Sequence, residues 1–136
     1  MAAIKEYYTI GLHDTDAAGI LYFANQFRIV HVAYERLLDR IGYPLRQIIR
    51  DTVFLIPVVH AEADFHQPLT MGDTVEIALS IAAIGESSFT LAYRLYSLDG
   101  DLVGSAGTVH VMADGKTKTP IPLPPDFKNR LRELME

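Results

Sequence analysis

Two aspartates one residue apart, Asp14 and Asp16, stand just ahead of Gly19 and of the apolar run that opens a helix. A carboxylate placed there lies close to unpaired backbone N–H groups and to the positive end of the helix dipole. Cleaving an ester or thioester needs that pair of features: a nucleophile or base on one side of the carbonyl, and donors for the developing oxyanion on the other. The same two residues could instead cap the helix and satisfy its orphan N–H groups.

His60, Glu62, Asp64 and His66 form a second group, at alternate positions of one run. Alternate strand residues lie roughly 6.5–7 Å apart, so one metal could take only two of them. A solvated face or a polar seam between subunits fits the row better, and no metal is expected. The Gly104-Ser105-Ala106-Gly107 stretch is not a nucleophile elbow, because Val103 stands where the first glycine belongs. His31 and Glu35, four apart on the helix, read as a surface pair. With no phosphate-cradling loop and no dinucleotide fingerprint, the sequence calls for no cofactor.

The elements that must position these residues follow from periodicity. Ile4 to Leu12 reads as a strand, and His13 to Gly19 as a turn. Phe23, Phe27, Val30, Tyr34, Leu37, Leu38 and Ile41 form a stripe of three- and four-residue steps, which predicts one long helix ended by Gly42 and Pro44. Its other face, with Arg28, His31, Glu35, Arg36, Asp39 and Arg40, reads as solvated. Four runs with period two follow: Val59 to Phe65, Val75 to Ile81, Phe89 to Leu95, and Leu102 to Met112. Asp99-Gly100 is a two-residue hairpin signal between the last two. Pro120 to Pro125 ends the sheet, and Phe127, Leu131 and Leu134 suggest a short terminal helix. The expected class is α+β, a single domain over residues 1–136, with the helix wrapped by an antiparallel sheet.

Within that frame, Asp14-Thr15-Asp16-Ala17-Ala18-Gly19-Ile20-Leu21-Tyr22-Phe23-Ala24-Asn25 resembles the opening motif of the 4-hydroxybenzoyl-CoA thioesterase group of hotdog-fold enzymes. The resemblance implies that Asp16 is the catalytic carboxylate and that the backbone N–H of Tyr22 polarises the thioester carbonyl. Gly19 preserves the loop, and Asp14 is left to loop structure. Within the group, Leu21 to Phe27, His31 to Glu35 and Ile56 to Ala61 are most similar to 1,4-dihydroxy-2-naphthoyl-CoA thioesterases of menaquinone and phylloquinone synthesis. Phe23 stands where the general acyl-CoA thioesterases of the group often carry histidine, which favours an aromatic acyl group. Phe23, Phe27 and Phe65 would flank it, and His60 or Asp64 could touch it from the sheet. The alternatives are a thioesterase for short or branched aliphatic acyl-CoAs, a non-catalytic acyl-binding hotdog protein and a metal-binding sheet protein using His60 and His66.

Composition bounds the partners. The chain has 136 residues, a formal charge of −5, 49% hydrophobic residues and no cysteine. Disulfides, thiolate metal sites and cysteine nucleophiles are therefore excluded. The acidic balance argues against nucleic acid. No apolar run is long enough to span a membrane, so a cytoplasmic location is expected. CoA phosphates would need local basic residues, for instance among Arg46, Arg50, Lys116 and Lys118. So many half-apolar strands cannot all be buried in one small chain, so a homodimer or homotetramer is expected.

Overall fold

The computed structural model describes residues 2–135. β1 (Ile4–Thr9) leads through a single helical turn at Leu12–Asp14 to α1 (Asn25–Arg40). A short α2 (Leu45–Asp51) and β2 (Phe54–Leu55) precede the long strands β3 (Val58–Phe65), β4 (Thr74–Ile84), β5 (Ser88–Ser97) and β6 (Leu102–Val111). β7 (Ala113–Asp114) pairs with β2, and α3 (Pro125–Met135) closes the chain. The five long strands form one antiparallel sheet in the order β1-β4-β5-β6-β3, and α1 lies across one face of it. This is the hotdog arrangement.

The sheet carries the core because its period-two pattern points one side chain in two at α1. Val75, Ile77, Leu79 and Ile81 of β4 and Phe89, Leu91, Tyr93 and Leu95 of β5 are all buried. They meet Ile29, Val30, Ala33, Tyr34, Leu37 and Leu38 of α1. The stripe is therefore as expected from Val30 onward and differs at its start. Gln26 and Ile29 take the inward positions, while Phe23 stays 60% exposed and Phe27 half-buried. The cause is a later start: the helix begins at Asn25, so Phe23 precedes it.

Polar groups also enter this core. His110 of β6 is stacked between Tyr34 (centroids 4.4 Å apart) and Phe89 (5.0 Å). Its Nε2 lies 2.8 Å from the Thr108 hydroxyl, which lies 3.0 Å from the Tyr93 hydroxyl. Burial, aided by His31, pushes the His110 imidazole down to about 4, so it is neutral in the folded protein.

Three further elements depart from the sequence reading. α2 is only seven residues long and buries only Ile48, too little to show a stripe. The β5–β6 connection takes three residues, Leu98 to Gly100, because Ser97 pairs with Asp101 and Gly100 adopts φ +92°. β3 is an edge strand that α1 does not cover, so both its faces lie open except at Ala63. The expected inward row Val59, Ala61, Ala63 and Phe65 is thus exposed in the single chain, with Phe65 at 51%. α3 is a fully packed element, with Phe127 and Leu131 buried against the core.

Candidate active site

Asp14 and Asp16 sit in one loop but in different surroundings. Asp14 is completely buried. Its Oδ2 accepts hydrogen bonds from the Tyr8 hydroxyl and the Gly11 N–H, each at 2.8 Å, and its Oδ1 pairs with the Arg28 guanidinium. Arg28 is thus not simply on a solvated face; it reaches back from α1 to fasten the loop. Three donors on one buried carboxylate make Asp14 a structural residue.

Asp16 is exposed. Its Oδ1 accepts the Ala18 N–H at 2.9 Å, and its other oxygen has no partner among the described residues. The backbone turns sharply here: Gly19 N–H donates to the Asp16 carbonyl, Asp16 N–H donates to the Ile20 carbonyl, and Thr15 pairs with Leu21. Gly19 supports the turn with φ +80°, a conformation that glycine adopts without steric cost. Asp16 caps this turn and not α1, whose N-cap is Ala24.

The segment between loop and helix is stitched by main chain. The Asp14 carbonyl accepts both the Tyr22 N–H at 3.0 Å and the Asn25 side-chain amide at 2.9 Å. Leu21 N–H donates to the Leu69 carbonyl at 2.7 Å. The Tyr22 N–H is therefore engaged and lies ahead of the helix, where the sequence reading has it at the helix start. The next two N–H groups, of Phe23 and Ala24, have no acceptor among the described residues and lie at the head of α1. The Tyr22 ring is likewise not core: it is 43% exposed and lies 4.8 Å from the Phe23 ring.

Beside this segment is an apolar hollow of about 250 Å³, walled by Ile20, Leu21, Phe23, Phe65 and Leu69, with Gln26 among its polar residues. Phe23 and Phe65 meet edge to face at 6.4 Å, so helix head and edge strand together supply aromatic surface. Phe27 does not line the hollow. Sequence reasoning missed Gln26, although a glutamine four residues before Val30 in an apolar stripe is a visible signal.

His60 does not reach this hollow within one chain. It is exposed on β3, 3.0 Å from Glu62, five residues before Phe65 and so roughly 16 Å along the strand. Among the described residues, no three His, Asp or Glu side chains converge as a metal site requires. The basic residues also lie at the far end of β3. Gly115 N–H bonds the Val53 carbonyl, and a Cβ at Gly115 would meet the Thr52 carbonyl at 2.0 Å. This close approach brings the chain that carries Lys116 and Lys118 back to the end of α2. No helix among the described residues is long and apolar enough to cross a membrane.

Comparison with known proteins agrees with the fold. The chain is 40% identical, over 85% of both chains, to the 1,4-dihydroxy-2-naphthoyl-CoA hydrolase of Rippkaea orientalis. It is 37% identical to that of Synechococcus elongatus over 97% of both. The crystal structure of a 1,4-dihydroxy-2-naphthoyl-CoA thioesterase from Synechocystis superimposes with a TM-score of 0.90 at 29% identity, covering 98% of each chain. The family model of the thioesterase-like superfamily matches residues 10–131, nearly the whole chain, and the protein belongs to that superfamily.

Proposed function

We propose that this protein hydrolyses an aromatic acyl-CoA thioester, 1,4-dihydroxy-2-naphthoyl-CoA, with Asp16 as the catalytic carboxylate. The observation that carries the reading is the juxtaposition, in one loop region, of an aromatic-walled hollow with a carboxylate oxygen and helix-head N–H groups that have no partner among the described residues. The relatives named for this activity support the acyl group.

The acyl ring lies in the hollow against Phe23 and Phe65, and the thioester carbonyl points at the head of α1. Asp16 either attacks the carbonyl carbon, giving an anhydride that water then opens, or takes a proton from a water that attacks. In both routes the C–S bond breaks, CoA leaves as its thiol, and the acyl group leaves as a carboxylic acid. Negative charge builds on the carbonyl oxygen, and the Phe23 N–H, strengthened by the helix dipole, is the donor free to receive it. The role implied for the Tyr22 N–H therefore moves one residue along the chain.

The active unit is a dimer through β3. That strand is an open edge with Val58, Val59 and Phe65 exposed, a surface that invites strand pairing. A two-fold axis through its middle pairs β3 antiparallel with itself. The second copy's α2 and 115–119 loop then approach the first copy's hollow, bringing Arg46, Arg50, Lys116 and Lys118 toward the CoA phosphates. His60 of one copy moves toward the hollow of the other by the same operation.

A hydrolysis panel tests the activity. Naphthoyl- and benzoyl-CoA should show higher kcat/KM than acetyl- or hexanoyl-CoA, and equal turnover of the straight-chain substrates would favour an aliphatic thioesterase. Light scattering should give a dimer or tetramer. Val59→Asp on the open edge should shift it toward monomer with loss of activity, and a stable, active wild-type monomer would remove the dimer from the scheme.

A further inference from the structure

Gln26 is the one buried polar side chain on the wall of the hollow beside Asp16. Chemistry fixes which way its amide faces. Nε2 lies 3.2 Å from the Asp64 carbonyl of β3 and 2.9 Å from the Ser105 carbonyl of β6. Two acceptors at that spot demand the NH₂ group, which turns the carbonyl oxygen Oε1 away from both. Gly104 makes the room. A Cβ there would stand 3.0 Å from Oε1 and 3.1 Å from Nε2, so any side chain at 104 would push the amide aside.

Gln26 is thus held from both strands with its N–H groups spent on main chain, while Oε1 accepts nothing among the described residues. Its apolar neighbours on the wall, Leu21, Phe23, Phe65 and Leu69, carry no side-chain donor, and His66 and Gln67, which also line the hollow, are exposed and make no hydrogen bond to it. An acceptor left alone in an apolar wall is costly when a ligand seals it from water, unless the ligand brings a donor. A site built that way rejects an analogue lacking the donor far better than an apolar wall could.

We infer that Gln26 determines specificity: its Oε1 accepts a hydrogen bond from a phenolic hydroxyl on the acyl ring, so the enzyme prefers hydroxylated aryl-CoA thioesters to unsubstituted ones. This rests on the reading that the hollow holds the acyl group. The Nε2 bonds to β3 and β6 keep Oε1 in place, and Gly104 keeps the approach open. Phe23 and Phe65 recognise the ring, and Gln26 recognises what the ring carries.

The experiment is a matrix of substrates and variants. We would measure kcat/KM for 1,4-dihydroxy-2-naphthoyl-CoA, its dimethoxy counterpart and 2-naphthoyl-CoA with wild type, Gln26→Leu and Gly104→Ala. Wild type should favour the dihydroxy substrate over the other two by about tenfold or more, the size of one buried hydrogen bond. In Gln26→Leu and in Gly104→Ala that ratio should fall toward one. A merely structural role for Gln26 would lower all three substrates together and leave the ratio standing, which overturns the inference. Should Gln26→Leu fail to fold, Gly104→Ala retains the glutamine, and the hydroxy-to-methoxy ratio in wild type needs no variant. Wild type indifferent to the hydroxyls also overturns the inference while leaving the aromatic thioesterase intact. No turnover of any aryl-CoA removes the underlying reading instead.

Discussion

Asp14 and Asp16 lie in one loop with opposite surroundings. The Asp14 carboxylate is sealed from solvent and held by Tyr8, Gly11 and Arg28. Asp16 stands exposed, with one oxygen on its own turn and the other without a partner among the described residues. Residue type does not distinguish them; the convergence of donors does. A carboxylate whose lone pairs are all committed holds the chain in place, whereas one with an oxygen to spare can change partners during a reaction.

If that contrast is right, removing the free charge should show in turnover and removing a buried one in stability. The largest effect is expected from Asp16→Asn: kcat falls about a hundredfold or more. The thermal midpoint should barely move, because the asparagine oxygen still accepts the Ala18 N–H. Kinetics and a melting curve on the same sample measure both, and near-normal kcat would reduce Asp16 to a turn residue.

His110 extends the contrast to a buried base. Its folded value of about 4 lies below its ordinary 6.5, so between those values the unfolded chain binds the proton that the folded chain refuses. Stability is therefore full above about pH 6.5 and lost as pH falls toward 4, by about 3 kcal/mol in total. Urea midpoints across that range should follow this slope, and His110→Phe should flatten it. A slope unchanged in the variant would assign the acid loss to other groups.

Asp14→Asn should cost about 2 kcal/mol, because it leaves the half-exposed Arg28 without its charge partner and puts an amide where only acceptors fit. Its folded fraction should keep kcat within a few-fold of wild type. A dead but stable Asp14→Asn would erase the distinction between the two aspartates. Gly19→Ala is the mildest test. Nothing lies within 4 Å of its missing Cβ, so only the positive φ is penalised, at about 1 kcal/mol of stability.

The sequence made the fold legible wherever a pattern repeats. The period-two runs of β4 and β5 and the stripe from Val30 to Ile41 are one-faced and long, so alternation alone locates the core. β3 shows the limit: Val59 to Phe65 alternates as cleanly, yet its place at the sheet edge leaves it uncovered, and strand order is not written in a local pattern. Around Asp16 the residue types marked the loop, while the helix start depended on one carbonyl. Asp14 O captures Tyr22 N–H and Asn25, so the free donors fall at Phe23 and Ala24. The pattern is silent on Gln26 and puts Arg28 on the solvated face for a related reason: their partners are 38 to 79 residues away for one, and the buried Asp14, 14 residues back, for the other.

The Asp14 carbonyl fastens residues 14–25 at a single atom, which makes neighbouring amides kinetically distinct. The Tyr22 hydrogen can exchange with solvent only when that fastening opens, so its rate reports concerted motion of the whole loop. The Phe23 hydrogen has no such lock and should exchange near its intrinsic rate in the free enzyme. A bound analogue whose oxygen occupied the Phe23 donor would slow the second amide and leave the first as it was. Hydrogen exchange at these two adjacent positions thus separates breathing of the loop from occupancy of the donor.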